Sequence, residues 1–269
     1  MIMQVLPNKE ISKQQLATYC IQYSNLFGEE GKIFKGEQEN EVRKIFRYPL
    51  LEREEELNKF HKKMDNKLKK LILLHKKQIP NDIFPITTIS YNGCLVGYEM
   101  TSPNLKKVYS CNIDQLKQLK EKLTRFHSQG IIHGDIKCSN LLLNNNNEIV
   151  LSDLDNMQVD DNPIDSINYI IEFFLEDDKL VDESADIYLY NLFLLQQLAF
   201  PNAQYDEIND KLVFGHFPDI FTEQGREELF KMQQCFVKYE GNYLIDSIRN
   251  EGKVYGKTTK SNSPVRPNI

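Results

Sequence analysis

The feature that most constrains this chain is a polar octet, His-Gly-Asp-Ile-Lys-Cys-Ser-Asn, at residues 133–140. Short apolar runs stand on both sides of it, at residues 131–132 and 141–143, and a third apolar run leads through Ser152 into Asp153. Short apolar runs bounded by polar turn residues are typical of buried strands. The polar side chains of the octet and Asp153 are therefore expected at two adjacent strand ends.

The octet and the later aspartate resemble the catalytic loop and the metal-binding aspartate of the protein kinase superfamily. The shared pattern is His-x-Asp-x-Lys-x-x-Asn, and Asp153 follows Asp135 by 18 residues. The resemblance implies that Asp135 takes the proton of the acceptor hydroxyl and that Lys137 reaches the transferring phosphate of ATP. Asn140 and Asp153 offer the oxygen ligands that Mg²⁺ prefers. His133 is expected to pack against the strand that carries Asp153.

The chain before the octet resembles a kinase nucleotide-binding lobe. Residues 26–36 are similar to the second half of a glycine-rich loop running into its second strand, with Gly28 and Gly31 at the spacing of the last two glycines. Glycine lets backbone N–H groups approach phosphates closely. Ile33, in the strand that follows, is expected beside the adenine.

The next predicted strand, at residues 41–47, alternates apolar and polar residues. In the kinase resemblance Lys44 holds the α- and β-phosphates, and Val42 lies against the adenine. The alternative is a solvated lysine on an edge strand, since Arg43 and Arg47 stand close to it.

A long amphipathic helix is predicted to follow, with an apolar stripe that repeats every three or four residues. The stripe consists of Leu57, Phe60, Met64, Leu68, Leu71 and His75. Kinases carry a glutamate on this helix that pairs with the strand lysine, and Glu56 is our choice among the glutamates of its first turns. Those glutamates also complement the helix dipole, which is an equally good reason for their presence.

An Asn-Gly pair at residues 92–93 predicts a hairpin between two further strands. The second strand would end in the hinge, where Tyr98, Glu99 and Met100 border the adenine. Leu142, two residues after the octet, is expected to complete the nucleotide site.

The chain after the hairpin keeps the kinase order of elements. An amphipathic helix over residues 113–126 leads into the octet, and Asp186 opens a strongly apolar helix. Asp186 resembles the kinase aspartate that binds the backbone of the catalytic loop, although a simple N-cap would also explain it. The resemblance implies a nucleotide-binding lobe at residues 1–100 and a catalytic lobe at residues 101–250. The polar, basic stretch 251–269 is expected to be a disordered tail.

Composition agrees with a cytoplasmic enzyme. The 269 residues are 41% hydrophobic, enough for one large domain or two lobes. The net charge of -6 provides no electrostatic footprint for nucleic acid. Five scattered cysteines indicate reduced thiols, and we expect neither a signal peptide nor a membrane-inserted segment.

Two departures from the kinase pattern bear on mechanism and regulation. Asp153 is followed by Leu-Asp, so Asp155 could compete for the metal. Gly134 stands where kinases carry an arginine that grips a phosphate on the activation segment. The segment here, residues 156–185, is rich in acidic residues. We therefore expect an enzyme that loop phosphorylation does not switch and that favours basic protein substrates.

The resemblance as a whole implies an α+β, bilobal fold with a small antiparallel sheet and a mostly helical second lobe. It implies an ATP- and Mg²⁺-dependent protein kinase acting on Ser/Thr hydroxyls. A small-molecule phosphotransferase of the aminoglycoside or choline kinase type and a pseudokinase that acts as a binding module are the alternatives. Lys137 argues against the first, and the complete polar set argues against the second. The oligomeric state stays open.

Overall fold

The computed structural model describes residues 6–23, 31–49, 53–78, 83, 85–101, 105–165, 168–174, 180–234 and 239–249. Gly28 and the predicted tail lie outside these ranges. Within them, a sheet made mostly of antiparallel strands is followed by a mainly helical region. The predicted α+β class is therefore confirmed.

The N-terminal part is built on a five-stranded sheet with the order β1-β4-β5-β3-β2. Neighbouring strands are antiparallel except β1 and β4, which run parallel. The predicted turn joins β4 to β5, and Asn92 and Gly93 both have positive φ, as a two-residue hairpin turn requires. The strands are β1 (Asn8–Glu10), β2 (Gly31–Lys35), β3 (Glu41–Phe46), β4 (Pro85–Tyr91) and β5 (Cys94–Thr101).

Helices cover both faces of this sheet. Helix α1 (Lys13–Tyr23) contributes Leu16 to a small apolar cluster with Ile45, Ile89 and Val96. Helix α2 (Glu54–Lys77) packs on the other face through Met64, Leu71 and Leu74. Its buried side also includes two lysines, Lys67 and Lys70, which the predicted apolar stripe did not contain.

The C-terminal part consists mainly of four helices, α3 (Ile113–His127), α4 (Glu183–Leu198), α5 (Tyr205–Val213) and α6 (Glu223–Gln233). Helix α3 begins at a capping box, in which the Asn112 and Gln115 side chains satisfy each other's backbone N–H groups. Helix α4 is the central helix, because most of its residues are buried. Its apolar side chains belong to the same continuous core as those of α2.

Short strands at the junction of the two parts hold the octet. Strands β6 (Lys106–Lys107), β8 (Leu141–Leu143) and β9 (Ile149–Leu151) form one sheet, and β7 (Ile131–Ile132) pairs with β10 (Gln158–Val159) in another. The octet connects β7 to β8, and Asp153 follows β9, as predicted. Among the helices described here, none combines the length and the apolar character needed to cross a membrane.

Candidate active site

A cleft of about 590 Å³ lies where the sheet meets the helical part. Its size is in the usual range for a small-molecule site. Most of the predicted site residues line it: Gly31, Ile33, Val42, Lys44 and Met100 from the sheet, and Asp135, Lys137, Asn140, Leu142 and Asp153 from the octet region.

The octet loop is held in place by His133, which is almost fully buried. Its Nε2 lies 3.2 Å from the carbonyl oxygen of Ser152, and its Nδ1 lies 3.2 Å from the backbone N–H of Asp135. A ring protonated on Nε2 donates to the first partner and accepts from the second. His133 thus fastens the octet loop to the end of the strand before Asp153, as predicted.

Asp186 anchors the same loop from the central helix. Its carboxylate accepts the backbone N–H groups of His133 at 2.8 Å and Gly134 at 2.7 Å, and His127 Nε2 lies 3.0 Å away. Burial opposes ionisation of this fully buried group, but the contact with His127 holds the pKa of Asp186 below its ordinary value. The N-cap of α4 is Asp182, so the loop-anchoring role of Asp186 is confirmed.

The carboxylate of Asp135 is oriented by three neighbours. Lys137 Nζ lies 2.6 Å from Oδ2, and the Asn140 amide donates to the same oxygen at 2.8 Å. Asn168, from the segment after Asp153, donates to Oδ1 at 3.1 Å. A buried carboxylate held from both sides points in a defined direction, which is the requirement for a general base.

Asn140 and Asp153 are close neighbours at the base of the cleft. The Asn140 carbonyl oxygen accepts the N–H of Ser152 at 2.9 Å, which ties the two strand ends together. Asp153 adopts a left-handed conformation, with φ of 63°, that turns the chain directly after β9. A carboxylate and an amide oxygen suit Mg²⁺, which is usually held by one or two carboxylates plus substrate phosphates. Among the described residues, no group of three or more His, Cys, Asp or Glu side chains could by itself hold a metal ion.

Lys44 is one of two described lysines that line the cleft, the other being Lys137. Lys44 Nζ donates to Asp153 and to Asp155 at 2.6 Å each. Burial disfavours the ammonium, but the two carboxylates outweigh that effect and raise the pKa of Lys44 above its ordinary value. The lysine therefore stays charged, so a solvated edge-strand lysine is not what the structure shows.

Two predicted contacts require correction. Glu56 is exposed in the first turn of α2, and it precedes Lys67 by eleven residues, roughly 16 Å along the helix axis. Lys44 instead bonds the carboxylates of Asp153 and Asp155. Glu99 is not among the residues that line the cleft, because side chains alternate along β5 and its carboxylate bonds the Arg43 guanidinium.

A second cavity, of about 580 Å³, adjoins the cleft. Asp135, Lys137 and Ser139 line both spaces. Apart from Asp135 and Lys137, the second cavity is lined by uncharged side chains, among them Asn168 and Gln204. Asp135 therefore stands where a molecule in one cavity would meet a molecule in the other.

Comparison with known proteins points in the same direction. No family model matches the chain. The chain is 45% identical to cyclin-dependent kinase 12 of Caenorhabditis elegans over 53 residues, which are 18% of this chain and 7% of that protein. It is 32% identical over 72 residues, 27% of this chain and 10% of the other, to a Dictyostelium discoideum protein named as a probable cyclin-dependent serine/threonine-protein kinase.

Both of these relatives carry protein kinase names. A third similarity, 32% over 101 residues, is to an Acanthamoeba polyphaga mimivirus protein named as a serine/threonine-protein kinase/receptor. It covers 34% of this chain and 6% of that protein. The chain thus spans between 6% and 10% of the length of these curated relatives. The similarity is to protein kinases and is limited to short stretches.

Sequence reasoning missed three polar residues of the site: Lys67, Asp165 and Asn168. Lys67 follows Met64 and precedes Leu71 at helical spacing, so it falls within the apolar stripe of α2. That position was the available signal for a buried cation, because a lysine in an apolar stripe is uncommon unless it is paired. Asp165 and Asn168 lie in an irregular segment, where no periodicity identifies the buried side.

The anchoring of the loop leads to a stability prediction. Asp186→Asn should lower the free energy of unfolding by about 1–3 kcal/mol, because one buried backbone N–H loses its acceptor. Urea denaturation followed by circular dichroism measures the change. Asp182→Asn is the matched control and should be nearly neutral, because asparagine caps helices as well as aspartate does. Equal losses in the two variants would contradict the anchoring role.

Proposed function

We propose that the chain is an ATP- and Mg²⁺-dependent protein kinase that transfers the γ-phosphate to Ser/Thr hydroxyls of a protein substrate. The observation that carries the proposal is the position of Asp135 at the junction of two cavities. One cavity contains Lys44 and Asp153, and the other is open to an acceptor. Phosphoryl transfer needs a base and cations in one place, and Asp135, Lys44 and Lys137 would supply them at this junction.

Each polar residue has a definite task in this reaction. Lys44, which stays cationic, holds the α- and β-phosphates in the cleft. Asp135 accepts the proton of the incoming hydroxyl, and Lys137 neutralises charge on the transferring group. Asn140 and Asp153 would hold Mg²⁺, which supplies neutralisation of the phosphate oxygens when it is bound.

The two cavities also bear on the choice of substrate. The acceptor cavity has neutral walls apart from Asp135 and Lys137. Within the segment after Asp153, Asp160 pairs with Lys77 and Asp165 pairs with Lys67 and Lys70, whereas Asp161 is exposed. A preference for basic protein substrates would arise from the exposed carboxylates of this segment, such as Asp161, together with the net charge of -6, and it would fade as salt rises.

The contacts of the activation segment support a phosphorylation-independent enzyme. Gly134 has a φ of 72°, and a Cβ there would lie 2.3 Å from Ile164 Cδ1, so an arginine at that position would strain the backbone and displace Ile164. Asp165, which follows Ile164 in the chain, already bonds lysines of α2. Among the possible acceptors in the segment, Ser184 is buried and donates to Asp182, Tyr169 is exposed, and Ser166 lies outside the described residues.

Two substitutions should separate proton transfer from nucleotide binding. Asp135→Asn and Asp153→Asn should each reduce phosphoryl transfer by at least about 100-fold, measured with radiolabelled ATP and a generic protein acceptor. Asp153→Asn should also weaken Mg²⁺-dependent ATP binding in calorimetry, whereas Asp135→Asn should leave it nearly unchanged. Asp219→Asn, an exposed carboxylate paired with Arg226, is the control. Full activity in either site variant would refute the proposal.

Regulation can be tested on the unaltered protein. Phosphatase treatment should change the rate by less than about twofold, which corresponds to less than about 0.5 kcal/mol of barrier, because Asp165 already supplies the anion that loop phosphorylation would add. The measurement compares initial rates before and after treatment, with mass spectrometry to show that phosphate has been removed. A large loss of activity that is reversed by preincubation with ATP would contradict this prediction. It would show that a cation elsewhere in the protein binds a phosphate on the segment.

A further inference from the structure

Helix α2 brings a cation, and not a carboxylate, to the lysine of the cleft. Lys67 is fully buried on the side of α2 that faces the turn after β9. The carboxylate that lies between the two lysines is Asp155. Its Oδ1 is 2.6 Å from Lys44 Nζ, and its Oδ2 is 2.7 Å from Lys67 Nζ. Among the described contacts, both carboxylates that pair with Lys44 thus belong to the chain after β9.

Asp155 is held too firmly to serve as a second metal ligand. Its side chain has no solvent exposure, and the Tyr98 hydroxyl donates to Oδ1 at 2.8 Å in addition to the two ammonium groups. Burial opposes ionisation, but Lys44 and Lys67 hold the pKa of Asp155 well below its ordinary value. Asp155 is also not among the residues that line the cleft, unlike Asp153. Its oxygens therefore face the interior.

The chain of ion pairs continues beyond Lys67. Asp165 lies 2.9 Å from Lys67 and 2.8 Å from Lys70, and it accepts the Asn66 amide at 2.8 Å. Negative and positive groups thus alternate through the interior from the cleft to the segment that carries Asp165. We refer to this set as the charge ladder, and its members are Lys44, Asp155, Lys67, Asp165 and Lys70.

We propose that Asp155 is the positioning residue for Lys44, and that Lys67 fixes Asp155 by holding its second oxygen. This inference rests on the proposed role of the cleft in nucleotide binding. The carboxylate beside the phosphate-binding lysine then comes from the turn after β9, while α2 supplies the counter-cation. Because Asp165 shares Lys67, the position of the segment after Asp153 is connected to the position of Lys44.

In this arrangement α2 supplies a cation, and the turn after β9 supplies the carboxylate. It can be tested by moving the carboxylate to α2. Asp155→Asn should remove the carboxylate that holds Lys44 from the interior side, while Asp153 remains. In the double variant Asp155→Asn/Lys67→Glu, a glutamate on α2 would face Lys44, while Lys70 would still neutralise Asp165. A merely structural role predicts that this double variant is worse than the single one, because it adds a second carboxylate close to Asp165. A positioning role predicts partial recovery.

Two readouts are needed, and one of them does not require catalysis. The first is kcat/KM for ATP, which should fall by about 100-fold in Asp155→Asn, because misplacing a substrate-positioning group by about 1 Å costs that much. The second is the rate at which an amine-reactive reagent labels Lys44, followed by mass spectrometry. Labelling should be slow in the wild-type protein, faster in Asp155→Asn and slow again in the double variant, which should also regain at least tenfold in kcat/KM.

The matched control is Asp160→Asn. Asp160 pairs with Lys77 and so also connects α2 to the segment after Asp153, but both side chains are partly exposed. Asparagine tolerates the positive φ of this residue. In the Asp160→Asn variant, kcat/KM for ATP and the rate of Lys44 labelling should stay within about twofold of wild type, because an exposed ion pair contributes little to stability.

If Asp155→Asn does not fold, as judged by circular dichroism, Lys67→Met provides the test. It leaves Asp155 with Lys44 and Tyr98, and it should reduce kcat/KM for ATP by about tenfold through the lost second contact. Unchanged kinetics and unchanged labelling of Lys44 in the folded variants would overturn the positioning role. A wild-type protein that transfers no phosphate would refute the proposed function, and the labelling pattern alone would then decide the role of Asp155.

Discussion

The structure depends on the neutralisation of charges that are buried between helix α2 and the turn after β9. Moving an ion from water into a protein interior costs several kcal/mol even after relaxation. Lys67 and Asp155 have no exposure, and Lys44 and Lys70 are also buried. Such a group of charges is compatible with folding only where each ammonium faces a carboxylate at short distance. Moving α2 relative to the turn would separate the pairs.

The buried ion pairs fix the position of one side of the cleft, and Asp186 fixes the position of the other side. The charge ladder holds Lys44 and the turn that contains Asp153, while Asp186 holds the backbone that leads to Asp135. The base and the cation of the proposed reaction therefore rest on two separate buried carboxylates. Both carboxylates stay ionised because their partners offset the cost of burial. A site organised before substrate binding is what electrostatic catalysis requires.

Those parts of the site that follow from local sequence were predictable, and those that follow from packing were not. The octet and Asp153 could be placed because apolar runs bound them on both sides, and the structure brings Asp135, Asn140 and Asp153 together. Lys67 falls within the apolar stripe of α2, but lysines are mostly exposed, so its burial was not predicted. Glu56 was chosen from the resemblance to kinases. No feature of the sequence indicates how far along α2 a partner of Lys44 should lie.

The central claim, that the buried charges act as one coupled set, is tested most directly by a double-mutant cycle on Asp155 and Lys67. Each single variant, Asp155→Asn or Lys67→Met, leaves the buried set with one unit of excess charge, although each remaining charge keeps a partner. In the double variant Lys44 keeps Asp153, and Asp165 keeps Lys70. Free energies of unfolding in urea should therefore show that the double variant loses less than the sum of the single losses, by at least about 2 kcal/mol. Losses that add within about 0.5 kcal/mol would contradict the account.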